Sequence, residues 1–150
     1  MIGSSKILAD EVKVETVTIT PKKDEAEDEA LILIVAKPGR IRNSLQALLQ
    51  IMPRLKVAGI ASHSFMAMQL LTQYNPALVI LDIDLPDNQA WMLLQQIRQK
   101  QQQTPCLLFV NSIEQQRAAS AAGADATLLK GFEVLELFST IEKLLPCYNQ

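Results

Sequence analysis

From residue 31 onward, five short apolar runs alternate with five stretches of helical periodicity, and no other feature of the chain restricts its fold as much. The runs are LILIVA (31–36), LKVAGIA (55–61), ALVILD (77–82), CLLFVN (106–111) and ATLLK (126–130). They are nearly continuous in apolar residues, without a polar face, which is the pattern of strands buried on both sides, as in a parallel sheet. The stretches RIRNSLQALLQIM, SFMAMQLLTQY, QAWMLLQQIRQKQ, IEQQRAASAAG and FEVLELFSTIEKLL lie between and after them. In the first, Ile41, Leu45, Leu48 and Leu49 fall on one helical face; in the last, Leu135, Phe138 and Leu145 are expected to form a similar stripe. Gly123 is placed to end the fourth helix, and Pro53, Pro76 and Pro105 fall between a helix and the next strand. Right-handed crossovers then put helices on both faces of one sheet, so the spacing predicts a three-layer α/β sandwich with a five-stranded parallel sheet.

With 150 residues, 49% of them apolar, the chain suits one core and is short for two. Charge divides it near residue 30: residues 1–30 hold four Lys and eight Asp or Glu, a net of −4, while 31–150 net +2. Residues 1–30 therefore read as a charged, flexible N-terminal extension and 31–150 as the folded domain. Within the extension, EVKVETVTIT has the alternation of a strand in search of a sheet edge or a second subunit. A net charge of −2 and pI near 5.4 argue against a nucleic-acid surface. Cys106 and Cys147 fit neither a disulfide scaffold nor metal-ligand spacing, and no run approaches the ~18 apolar residues of a membrane span. The expectation is a cytoplasmic protein that binds neither nucleic acid nor membrane.

In a parallel α/β sheet the functional site lies at the carboxyl ends of the strands. That selects Ala36 and Lys37 after the first run, Asp82 and Ile83 after the third, Asn111 and Ser112 after the fourth, and Lys130 closing the fifth. Asp82 and Lys130 put an acid and an amine at one end of the sheet, the makings of an ion pair or of a carboxylate nucleophile with a cation beside it. Other candidates carry less chemistry. His63 has no ligand-spaced partner and reads as cap-adjacent, with Ser64 as the N-cap. Met66 and Met68 are two residues apart and should face different ways, and Trp91 reads as core. AKPGRIRNS has one glycine, too few for a phosphate-binding loop, and no Ser or Cys nucleophile sits in a His-containing motif.

LVILDIDLP and AAGADATLLKGF, in that order and spacing, resemble the phospho-acceptor strand and the AGA…LLKPF segment of bacterial response-regulator receiver domains. The resemblance spans residues 31–145 and implies a flavodoxin-like (βα)5 fold. It implies that an Asp at position 82 accepts a phosphoryl group from a histidine kinase, with Mg²⁺ held by that Asp and an acidic pair ending the first strand. It further implies that a Lys at position 130 contacts phosphoryl oxygens, and that a Thr or Ser ends the fourth strand and couples to an aromatic residue in the fifth. Here the acidic-pair positions are Ala36 and Lys37, the fourth strand ends in Asn111 and Ser112, and Thr127 stands in the aromatic position.

A pocket of Asp82, Lys37 and Lys130 is formally +1, against −2 for three carboxylates and one lysine, so Mg²⁺ binding is expected to be weak or absent. If Lys37 approached Asp82 to about 4 Å, the attraction would be ~1 kcal/mol in water and ~4 kcal/mol at an effective dielectric of 20; alternatively Lys37 snorkels to solvent. The leading expectation is a pseudo-receiver: a non-enzymatic module acting through a signalling partner, a histidine kinase or an effector, or through a homodimer. The second is a phosphorelay receiver in which Asp82 still accepts phosphate. A flavodoxin-like enzyme or cofactor binder is the remaining alternative.

Overall fold

A computed structural model describes residues 29–100 and 103–145. The extension through residue 28 and Cys147 lie outside them. Five parallel strands, β1 (Ala30–Val35), β2 (Leu55–Ala61), β3 (Leu78–Asp82), β4 (Cys106–Val110) and β5 (Ala126–Leu129), lie in the order β2-β1-β3-β4-β5. They alternate with α1 (Arg40–Leu49), α2 (Ser64–Tyr74), α3 (Gln89–Lys100), α4 (Ile113–Ala121) and α5 (Val134–Leu144), with a short 3₁₀ turn, Pro86–Asn88, leading into α3. β3 and β4 are buried at every position, as their unbroken apolarity requires, whereas the edge strands β2 and β5 are only half-buried.

Successive strand residues point to opposite faces of the sheet. Leu33, Val35, Leu81 and Leu108 pack against α2, α3 and α4, where Leu71, Leu93, Leu94 and Ala119 cover them. Ile34, Ile80, Leu107 and Phe109 belong to the opposite core, closed by Leu45 and Leu49 of α1, by Leu137 and Ile141 of α5 and by Leu145 at the end of α5. The α5 stripe differs from expectation at Leu135, which is 76% exposed. Leu137, Ile141 and Leu145 recur at four-residue spacing and define the buried face, and Leu135 lies about 200° around the helix from Leu137. Met68 and Trp91 pack partly against the core while Met66 stays exposed.

Helix ends are set by local chemistry. His63 itself caps α2, its Nδ1 accepting from the Met66 N–H at 3.3 Å, so Ser64 is the first helical residue and not the cap. At the opposite end of the sheet from the strand termini, Arg98 of α3 donates to the carbonyls of Gly123 and Thr104, both at 2.8 Å, and pairs with Asp125. Asp125 also accepts from the Cys106 N–H at 2.8 Å, so one guanidinium ties α3 to the starts of β4 and β5. Gly123 follows α4 with φ +107°, and a Cβ there would lie 3.2 Å from Arg98 Cγ. Gly123→Ala should therefore destabilise the fold by about 1–2 kcal/mol, read as a lower urea midpoint at unchanged m-value.

Candidate functional site at the strand ends

Asp82 continues the series of Leu78 and Ile80 on the face of β3 covered by α1 and α5, and Lys130 continues Ala126 and Leu128 from β5 on that same face. β4 separates the two strands, so they stand roughly 9.5 Å apart. A lysine stem and a carboxylate span that gap over the end of β4. Lys130 Nζ lies 2.7 Å from Asp82 Oδ1, and its backbone N–H is fixed by the Val110 carbonyl at 2.8 Å. Asp82 is only 4% exposed, so the ammonium compensates a carboxylate that water barely reaches.

Asp84 completes the arrangement. Its backbone N–H donates to Asp82 Oδ1 at 3.0 Å, a side-chain-to-backbone turn that folds the chain back at the strand end. Its carboxylate binds the same Lys130 ammonium and accepts from Asn111 Nδ2, at 3.0 Å to one oxygen and 3.2 Å to the other. One cation thus bridges two carboxylates, and Asn111 ties the loop after β4 to Asp84. The Lys130 hydrogen bond holds Asp84 below the usual 3.8, against partial desolvation and with help from Asn111 and from the charge of Lys37. Burial acts to lower the pKa of Lys130, but its bonds to Asp82 and Asp84 outweigh this and hold it above the usual 10.5.

The remaining expected positions fall at or near this end of the sheet in different roles. Ala36 is buried, with its N–H bound to the Ala61 carbonyl at 2.9 Å. Lys37 is exposed and makes no ion pair with Asp82 within 4 Å; among the described residues that partner is Lys130. The reason is geometric: Lys37 follows the strand, where the chain turns outward through Pro38 and Gly39 and its stem reaches water freely. Ser112 Oγ caps α4 by accepting from the Gln115 N–H at 3.1 Å, and Gln115 Oε1 accepts from the Asn111 N–H at 2.7 Å. Thr127, paired in register with Leu108, points to the sheet face opposite Lys130. Phe132, just past Lys130, packs on Phe109 with ring centroids 5.0 Å apart. Asp84, two residues past Asp82 and directly after the strand, is the second carboxylate that leans into the pocket.

Among the described residues, no three His, Cys, Asp or Glu side chains gather as a metal site, and no helix is long and apolar enough to cross a membrane. Burial pushes the Cys106 thiol up to about 11, which leaves it protonated and unreactive near neutrality.

Two outcomes follow from the shared cation. Lys130→Ala leaves Asp82 buried without its counter-charge and should cost about 3 kcal/mol in a urea titration, with Asp82→Asn costing less. Because the folded pKa of Asp84 is lowered, its stabilising contribution is complete above the unfolded value of 3.8 and disappears as pH falls through the lower folded value. The stability gap between the native chain and Asp84→Asn should therefore close on acidification below that range; a gap independent of pH would contradict the pairing.

Residues 32–142 match the response regulator receiver domain family. The chain is 25% identical over 119 residues to the nitrate/nitrite response regulator protein NarL of Escherichia coli, covering 78% of this chain and 55% of that protein. It is 36% identical over 86 residues to the transcriptional regulatory protein BasR of Escherichia coli, covering 56% of this chain and 39% of the relative. The chain thus spans about half or less of the length of these relatives. Among solved structures, a putative response regulator from Chloroflexus aurantiacus superposes with TM-score 0.71 at 25% identity, covering 77% of this chain and 97% of that one. The signal receiver domain of an HD domain-containing protein from Pseudomonas fluorescens superposes with TM-score 0.70 at 25% identity, covering 89% and 94%. The flavodoxin-like architecture, the order of the strands and the match over most of its length agree: this chain belongs to the response regulator receiver domain family.

Proposed function

We propose that this receiver domain is a non-enzymatic signalling module that works mainly through protein–protein contact, with Mg²⁺-dependent phosphorylation of Asp82 impaired. The observation that carries the reading is the cation already seated between Asp82 and Asp84. Mg²⁺ needs a near-octahedral shell of oxygens. At the end of β1 this chain offers the methyl of Ala36 and the ammonium of Lys37, and a divalent ion would have to displace Lys130 from both carboxylates. With Asp82, Asp84, Lys37 and Lys130 the pocket is formally neutral, so little field draws a second cation in.

The switch positions support the same reading. Asn111 is committed to Asp84 and Ser112 to capping α4, and Thr127 lacks the bulk of an aromatic ring. Exposed Ile113, Val134 and Leu135 on α4 and α5 offer apolar anchors for a signalling partner, a histidine kinase or an effector.

A second reading keeps the chemistry. Lys130 lies against Asp82 as it would beside an aspartyl phosphate, whose charge of roughly −1.5 to −2 two lysines could accommodate. Incubation with acetyl phosphate, with and without Mg²⁺, followed by mass spectrometry separates the two. The native chain should acquire no Mg²⁺-dependent adduct at Asp82, and the double variant Ala36→Asp/Lys37→Asp should gain one. An Mg²⁺-dependent adduct on the native chain that Asp82→Asn abolishes would establish the second reading instead.

A further inference from the structure

Lys130 also borders an apolar recess between α1 and the start of α5. The recess measures about 220 Å³; buried Leu45, Phe109 and Leu137 form its floor, and exposed Ile41 and Val134 flank its mouth. Among the described residues, Ser44 and Lys130 alone bring polar side chains to its wall. A recess with such a lining holds water poorly and takes up apolar molecules.

The recess is formed before any ligand arrives. The Phe132 N–H donates to the Leu129 carbonyl at 3.1 Å, closing a turn in which Gly131 takes φ +97°, a conformation that favours glycine. Just past that turn, Phe132 lies against Phe109 with the two rings tilted by 60°. A Cβ added at Gly131 would meet no atom within 4 Å, so this part of the wall stays open.

Size and charge define the occupant. At the packing density of protein interiors the recess accommodates a molecule of roughly ten non-hydrogen atoms, the size of a two-ring aromatic. The Phe109 and Phe132 rings favour an aromatic ligand, which can meet them edge to face or offset-stacked. Lys130 is the one charged residue in the lining, and its ammonium already serves both Asp82 and Asp84, a trio of one cation and two carboxylates with a net charge of −1. An anionic ligand would meet that excess negative charge, while a cationic one would find no carboxylate in the lining and an ammonium beside it. An uncharged ring meets neither penalty, and the Ser44 hydroxyl can bond a single polar atom on it.

We propose that the α1–α5 recess is a binding site for a small uncharged aromatic molecule, seated beside the lysine that holds Asp82. This stands whether or not Asp82 accepts phosphate, since it draws on the lining and on the Lys130 ion pairs alone.

Indole, titrated into the full chain and followed by the methyl resonances of Ile41, Leu45, Leu48 and Leu137, tests it. The expected result is saturable shifts with a dissociation constant below about 1 mM, a strength within reach of so small a ligand. Benzoate, with the same number of non-hydrogen atoms but a negative charge, should bind at least about tenfold more weakly. Ser44→Phe and Ile41→Trp fill the recess from its rim and should each raise the indole constant at least about tenfold, whereas Ile113→Trp on α4 should leave it unchanged. All three side chains are exposed, so melting temperatures without indole should stay near native and show that the variants fold. Absence of saturable shifts, benzoate binding as tightly as indole, or indole binding that survives both Ser44→Phe and Ile41→Trp overturns the proposal. A native chain that sediments as a dimer dissociated by indole overturns it too, by assigning the recess to a side chain of a second copy.

Discussion

A parallel sheet covered on both faces brings its functional groups together at the strand ends, because every interior position is taken by packing. β3 and β4 are buried at all their positions, and Asp82 sits at the last of them on β3. The strand order sets β3 and β5 on either side of β4, and the two-residue alternation turns Asp82 and Lys130 to the same face. The ion pair between them follows from topology and register. The loops carrying Asp84 and Asn111 then organise around that pair, so a single buried carboxylate and its cation order three of the connections at this end of the fold.

On the proposed reading, charge separates this site from one built for a divalent ion. A site of several carboxylates repels itself until a metal enters. Here the positive charge is covalent, and Lys130 satisfies Asp82 and Asp84 at once. The raised pKa of Lys130 and the lowered pKa of Asp84 are two views of one mutual stabilisation of charged forms. Lys37 adds to the field from the rim without pairing with Asp82.

Much of this was legible from residue pattern. The apolar runs locate all five strands to within a residue at each end, and the second run matches β2 in full, because buried parallel strands leave an unbroken apolar signature. Asp82 and Lys130 were identifiable from their places at the strand ends. What was hidden depended on side-chain direction and local competition. Leu135 looked apolar enough for the core, but α5 buries the face of Leu137 and Ile141. Ser112 looked available as a hydroxyl for the site, but the first turn of α4 needed its oxygen, and His63 took the capping position assigned to Ser64. Asp84 lies one alternation beyond the strand, where a turn and not a pleat decides the direction of its carboxylate.

On the proposed reading, the Lys130 ammonium holds the place at Asp82 that a divalent cation would need. The most direct measurement is a Mg²⁺ titration followed by the amide resonances of Ile83, Asp84, Asn111 and Lys130, with the Lys130→Ala variant alongside. No saturable, site-localised shifts are expected in the native chain, and weak ones once Lys130→Ala removes the ammonium. Saturable shifts confined to those amides in the native chain would contradict that reading.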